Sequence, residues 1–176
     1  MSNNFFIFLL GLILIISCQD NLSRDKQKET IFYLIRHAEK DRSNSENNDP
    51  SLTNKGIKRA NNWASYFDTI PLNSIYTTDY IRTKQTVFPL SQLKNITPKI
   101  YSPDELDINQ FMTNNNGKRV LISGHSNTTP TMVNKLIGKS KYSDMSDSDN
   151  KSLFIVNILN SNAEVEIRSV SLKKYK

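Results

Sequence analysis

The chain holds two histidines, His37 and His125, and each stands just past an apolar run. Thr30-Ile31-Phe32-Tyr33-Leu34-Ile35 ends in Arg36-His37, and Arg119-Val120-Leu121-Ile122-Ser123 leads into Gly124-His125-Ser126. Imidazole is the side chain that exchanges protons near neutral pH. A guanidinium beside it recognises planar or tetrahedral oxyanions through paired N–H groups. A further cation, Arg82, sits in Thr77-Thr78-Asp79-Tyr80-Ile81-Arg82-Thr83, where a short apolar segment passes into a helical one. Two arginines, two histidines and the N-terminal N–H groups of helices, once gathered, form an anion site suited to phosphate.

The elements that would gather them follow from the hydrophobic pattern. Thr30–Ile35 and Arg119–Ser123 are continuous apolar runs, as in strands covered on both faces of a parallel sheet. Leu52-Thr53 opens a helix on which Ile57, Ala60, Ala64 and Phe67 recur, with Thr53 as N-cap. Ser74–Thr77 and Lys99–Tyr101 are short strands, and Asp79–Leu93, Pro103–Met112 and Asn127–Ile137 read as helices. Ser152–Leu159 and Glu164–Ser171 form a hairpin joined by Asn160-Ser161-Asn162. Repeated β-α units give an α/β layered domain with a mostly parallel sheet and an antiparallel end. In such sheets sites lie at the carboxyl ends of the strands. Arg36-His37 and His125 therefore converge if their strands are neighbours.

Four blocks, in order, carry a resemblance: Leu34-Ile35-Arg36-His37-Ala38-Glu39; Leu52-Thr53, Gly56 and Arg59-Ala60; Thr78-Asp79, Arg82-Thr83 and Gln85-Thr86; and Gly124-His125-Ser126-Asn127-Thr128. Together they resemble the histidine phosphatase superfamily, the phosphoglycerate mutase-like family, and most closely its small bacterial members. The resemblance runs over residues 30–176. It implies a three-layer α/β/α sandwich with a mostly parallel central sheet and an antiparallel C-terminal hairpin. It implies that His37 is the nucleophile that accepts the phosphoryl group, with Arg36, Arg82 and His125 around the phosphate. A nucleophilic imidazole must be neutral at the attacking nitrogen, with its other nitrogen donating to a backbone carbonyl. A phosphohistidine divides hydrolysis into two steps, and arginines compensate charge on the equatorial oxygens. No metal or cofactor is required, and the chain offers no metal-ligand cluster. Ala38 stands where the family has glycine.

The proton donor to the leaving group is open. Asp104, Glu105 and Asp107 lie in the segment where some relatives carry an acid; Glu105 is the first choice, and ordinary first-turn acids favoured by the helix dipole are the bland alternative. Lys40 and Glu39 line the site mouth or form a solvated pair. Asn127 donates to the phosphate or caps its helix. Arg82 serves the phosphate or pairs with Asp79. Arg59 reads as structural, and Trp63 and Tyr80 as packing. Asp144, Asp147 and Asp149 lack the glycine and closing Glu of a calcium loop. The function that follows is phosphomonoester hydrolysis, with a catalytically weak anion-binding module as the alternative. A mutase is disfavoured, because the chain has little insertion to enclose a bisphosphate. Specificity resides in the short polar loops 38–51, 101–117 and 139–151. These suggest an open site for a phosphorylated small molecule or peptide.

The N-terminus is a separate matter. Phe5–Ile16 is apolar throughout apart from Gly11, too short for a spanning helix of ~20 residues but suited to a signal-peptide core. It precedes Ile15-Ile16-Ser17-Cys18, which resembles a bacterial lipobox with Cys18, the sole cysteine, as the lipidated residue. The α-amino group supplies the only positive charge ahead of the apolar segment. Residues 1–18 are thus expected as a lipoprotein signal peptide, 19–29 as a polar tether and 30–176 as the domain, held at the cell envelope in the periplasm or on the outer membrane. A short buried helix is the alternative. The net charge of +6 suits an anionic substrate, solubility or anionic headgroups. The absence of a basic stripe with interleaved aromatics argues against nucleic acid.

Overall fold

The computed structural model describes residues 28–172. The apolar segment 5–16, Cys18 and nearly all of the expected tether lie outside the described residues. Ten elements follow in order: β1 (Thr30–Arg36), α1 (Asn54–Tyr66), β2 (Ser74–Thr77), α2 (Ile81–Lys94), β3 (Lys99–Ile100), α3 (Ile108–Asn114), β4 (Arg119–Gly124), α4 (Thr128–Ile137), β5 (Ser152–Leu159) and β6 (Asn162–Ser169). The sheet order is β3-β2-β4-β1-β5-β6. β3, β2, β4 and β1 run parallel, and β5 and β6 add antiparallel pairing.

Alternation along β1 makes the layers, because successive side chains leave a strand on opposite faces. Phe32 and Leu34 pack with Phe111 of α3 and with Met132, Val133 and Leu136 of α4. Tyr33 and Ile35 pack on the other face with Trp63 of α1, Phe67 and Val87 and Leu90 of α2. Both faces of the central strands are covered, so the fold is the three-layer sandwich that the apolar runs require.

Register then positions the site. β1 and β4 pair with Arg36 opposite Gly124, and β2 pairs with β4 so that Thr77 faces Ser123. The residues that follow, His37, Thr78 and His125, leave the sheet side by side at its carboxyl edge.

Several expected boundaries move, three of them for a reason that a cap or turn supplies. The helix expected from Pro103 begins only at Ile108, because the Asp107 carboxylate accepts from Asn109 N (2.9 Å) and Gln110 N (3.2 Å) and caps it there. Pro103–Glu105 form a turn instead. α2 begins at Ile81, since Tyr80 is extended at φ −124° and ψ 145°. The hairpin turns on two residues, Asn160 (φ 52°) and Ser161 (φ 63°), so β6 starts at Asn162, paired with Leu159. The Thr53 cap is as expected: its Oγ1 accepts from Gly56 N at 3.1 Å.

Candidate active site

His37 is nearly inaccessible, at 3 % exposure. Its N–H donates to Gly124 O (2.9 Å), its carbonyl accepts from Asn150 Nδ2 (2.9 Å), and the next amide, Ala38 N, donates to Thr86 Oγ1 (2.8 Å). The ring is oriented by its own chain: Nδ1 lies 2.7 Å from Ala38 O. A carbonyl only accepts, so Nδ1 carries the proton. Burial, opposed by that hydrogen bond and reinforced by the charges of Arg36, His125 and Arg82, lowers the His37 pKa to about 3. The ring is therefore neutral, and its single proton leaves Nε2 with a free lone pair.

His125 has the other tautomer. Arg82 Nη2, which can only donate, lies 3.4 Å from Nδ1, and Nε2 lies 2.9 Å from Thr78 Oγ1. Nε2–H thus donates to Thr78, whose hydroxyl donates to Thr83 Oγ1 at 3.1 Å, and Thr83 donates to the Thr78 and Tyr80 carbonyls at 2.9 Å. Burial first, then the charges of Arg82, Arg36 and Lys40, lower the His125 pKa to about 4. The two imidazoles meet at 5.4 Å between centroids, at 64°.

Each arginine is anchored at its tip. Arg36, 2 % exposed, donates from Nη1 to Ser146 O (2.9 Å) and from Nη2 to Asp147 Oδ1 (2.6 Å). Arg82 donates from Nη1 to Asp49 Oδ1 (3.2 Å) and Asn48 O (3.3 Å), and its guanidinium carbon stands 4.3 Å over the Tyr80 ring. The Nε of both arginines is buried and has no partner among the described residues. A buried donor left unpaired costs about 1–3 kcal/mol, a cost that both guanidinium groups carry here.

The cleft holds about 420 Å³. Arg36, His37, Arg82 and His125 line it together, with Lys40 and Asn127, and so do Thr78, Tyr80, Asp104 and Asp147. Glu105, the preferred acid, is not among its lining residues and is exposed; the turn at Pro103–Glu105 brings the preceding carboxyl, Asp104, to the cleft instead. Asp107 is occupied as the α3 cap. Asn127 occupies the N-cap position of α4 but makes no side-chain cap bond, and its exposed side chain lies on the cleft wall.

The start of α2 is not a free anion site: Asp49 accepts from Ile81 N at 2.9 and 3.1 Å. Arg82 pairs with Asp49, while Asp79 pairs with Lys84 at 2.9 Å. Tyr80 is not core packing; it is 41 % exposed, over Arg82 and edge-on to His125 at 4.9 Å. Arg59 is structural as expected, gripping Glu39 from Nε (2.8 Å) and Nη2 (2.7 Å). Sequence reasoning missed Thr78 as a His125 partner, Asp49, Asp147 and Asn150. Thr78 lay inside a recognised block; the other three sit in polar loops that lack periodicity.

The family model of the histidine phosphatase superfamily (branch 1) matches residues 32–109. Among solved structures, YhfR from Bacillus stearothermophilus is 17% identical, with a TM-score of 0.63 over 81% of this chain and 98% of that one. The protein histidine phosphatase SixA, complexed with tungstate, is 15% identical, with a TM-score of 0.63 over 79% and 96%. The alpha-ribazole phosphatase from Shigella flexneri is 14% identical, with a TM-score of 0.59 over 80% and 96%. These likenesses show a shared fold, that of the phosphoglycerate mutase-like proteins. No curated protein matches the chain significantly.

Proposed function

We propose that this chain, a member of the histidine phosphatase superfamily, hydrolyses a phosphomonoester through a phosphohistidine on His37. The observation that carries the reading is the bond from His37 Nδ1–H to the Ala38 carbonyl. It leaves Nε2 unprotonated in a cleft that Arg36 and Arg82 line. The Nε2 lone pair attacks phosphorus, the P–N bond forms, and the P–O bond to the alcohol breaks in line with it. Arg36 and Arg82 take the equatorial oxygens, where charge is fixed in advance, and His125 orients the Arg82 guanidinium through its Nδ1. The departing alkoxide takes a proton from Asp104, the carboxyl on the cleft wall, or from water. In the second step a water attacks phosphorus, the P–N bond breaks, and inorganic phosphate leaves with His37 neutral again.

The weaker reading, an anion-binding module of the same fold, draws on the exposure of Asp104. A carboxyl facing solvent is a modest proton donor, and alkyl phosphates would then turn over slowly. The test separates the two. The full chain is incubated with a reactive aryl phosphate and quenched in alkali, beside His37→Ala. Acid-labile phosphate on the wild type alone establishes the nucleophile; absence of label and of released phosphate favours the binding module.

A lipid-anchored place in the bacterial cell envelope, with membrane attachment at Cys18, is supported by the apolar segment ahead of that cysteine. Incorporation of labelled fatty acid that is lost in Cys18→Ser would establish it; equal labelling of both proteins would reject it.

A further inference from the structure

We propose that the outer edge of β6 pairs with β6 of a second copy of the chain, antiparallel about a two-fold axis through Ile167. The inference is independent of the phosphatase reading, and no residue of β6 is among those that line the cleft. The sheet has two unlike edges. β3 is two residues long, a stub that offers little to another strand. β6 is eight residues long, in unbroken register with β5, and no described residue pairs with its other side. Natural monomers blunt a long free edge with proline, lysine or a bulge, because an open row of N–H and C=O groups is a template for another strand. β6 has none of these.

Parity identifies the open backbone groups. Leu159 and Asn162 flank the two-residue turn as a hydrogen-bonded pair. Bonded and non-bonded pairs alternate from there, so Glu164, Glu166 and Arg168 turn their backbone groups to β5. Val170 N, donating to Lys151 O at 2.8 Å, continues the same parity. Ala163, Val165, Ile167 and Ser169 therefore turn theirs outward. An antiparallel partner must set outward residues against outward residues, so a two-fold axis can pass through any one residue of the strand but not between two.

Charge chooses the axis and the partner. Glu164, Glu166 and Arg168 share one face of β6, and residues directly opposite across a ladder attract or repel according to sign. With the axis at Glu166 two glutamates face each other, and with it at Arg168 two arginines do. With the axis at Val165, Glu164 and Glu166 meet twice. With the axis at Ile167, Glu166 stands opposite Arg168 of the second copy, and Arg168 opposite its Glu166. Within each chain Arg168 already donates to Glu166, from Nε at 2.6 Å and Nη2 at 2.8 Å. The four side chains then make a block in which every charge has neighbours of opposite sign. On the other face Ile167, 49 % exposed, meets its own counterpart and loses water. The edge is thus self-complementary, as an isologous interface requires.

The test is sedimentation equilibrium of the full chain in density-matched detergent, for the wild type, Glu166→Arg, Arg168→Glu and an equimolar mixture of the two variants. The wild type should show a concentration-dependent equilibrium between monomer and dimer. Each variant alone sets like charges at both cross-strand positions and should weaken association by about tenfold or more. In the mixture every Arg faces a Glu again, so the dimer should return as a heterodimer. Misfolded variants could not give that return, nor could the pair within the strand, which both variants lack. A monomeric wild type overturns the proposal. So does association that neither variant changes, which would place the contact elsewhere, as on the apolar segment 5–16. Variants that dissociate and stay apart when mixed overturn it too. Wild-type strength in Glu166→Arg with loss in Arg168→Glu would put the axis at Glu166 and overturn the register.

Discussion

His37 and His125 face each other with ring centroids 5.4 Å apart, and they carry their protons on opposite nitrogens. His37 is protonated at Nδ1 by the demand of the Ala38 carbonyl, and His125 at Nε2 because Arg82 occupies its other side. The pair thus presents a nucleophilic nitrogen without a second cation beside it. Both rings are uncharged at neutral pH, since burial and two nearby arginines oppose protonation. The positive charge that meets a phosphate comes from the arginines.

That arrangement makes the protein acid-labile in a defined window. The folded pKa values, about 3 for His37 and about 4 for His125, lie below the ordinary 6.5. As pH falls below 6.5 the unfolded chain takes up protons that the folded chain refuses. Stability contributed by the neutral rings is therefore complete above 6.5 and lost as pH falls towards 3–4. The slope is about 1.4 kcal/mol per pH unit for each group. Urea midpoints measured from pH 7 to pH 4 should decline more steeply in the wild type than in His37→Gln. Parallel declines would show that His37 does not titrate in this way.

Helix α1 and the segment after His37 are joined by a second pair. Glu39, two residues past His37, is held by Arg59 through two hydrogen bonds, and Arg59 is 7 % exposed. Burial raises the Glu39 pKa, and the hydrogen bonds and charge of Arg59 outweigh it, so the net direction is down. Removing one partner strands the other. Arg59→Met should cost about 3 kcal/mol. The double variant Arg59→Met with Glu39→Gln should cost less than the sum of the single changes. Chemical denaturation of the four proteins reads the coupling, and strict additivity would show that the pair does not act as a unit.

Gly56 tests the same junction through its backbone. Alanine in place of an exposed helical glycine ordinarily stabilises by about 0.5–1 kcal/mol. Here a Cβ would collide with the Glu39 carbonyl oxygen and stand 3.1 Å from Leu52 Cβ. The carbonyl is backbone and accepts from Thr53 N at 2.9 Å, so it has little room to move. Gly56→Ala should destabilise, by about 1–3 kcal/mol on the scale of overpacked interiors. A rise in melting temperature would contradict this packing.

Much of the site was legible because physics that acts locally also placed it. Apolar runs at Thr30–Ile35 and Arg119–Ser123 demand doubly covered strands, and parallel neighbours bring Arg36, His37 and His125 to one edge. The partners that tune them were not legible. Arg36 meets Asp147 across 111 positions, and His37 meets Asn150 across 113. Nothing in a polar loop's composition says which of its acids will turn inward. The hairpin's register depended on Asn160 and Ser161 both accepting positive φ, which shortened the turn by one residue. Likewise, whether Asp104 or Glu105 faces the cleft depended on where Asp107 caps α3.

That last boundary sets which carboxyl could serve as the acid of the proposed reaction, and kinetics can check it. Asp104 lines the cleft, whereas Glu105 does not. General-acid assistance matters most when the leaving alkoxide is strongly basic, and it is worth about 10²-fold or more. Asp104→Asn should therefore lower kcat on an alkyl phosphate by about 10²-fold and barely change turnover of an aryl phosphate whose phenoxide leaves unaided. Glu105→Gln should leave both rates near wild type. Equal loss on the two esters in Asp104→Asn would assign Asp104 to binding rather than proton transfer. Loss confined to Glu105→Gln would mean that the 103–105 turn rearranges when substrate is bound.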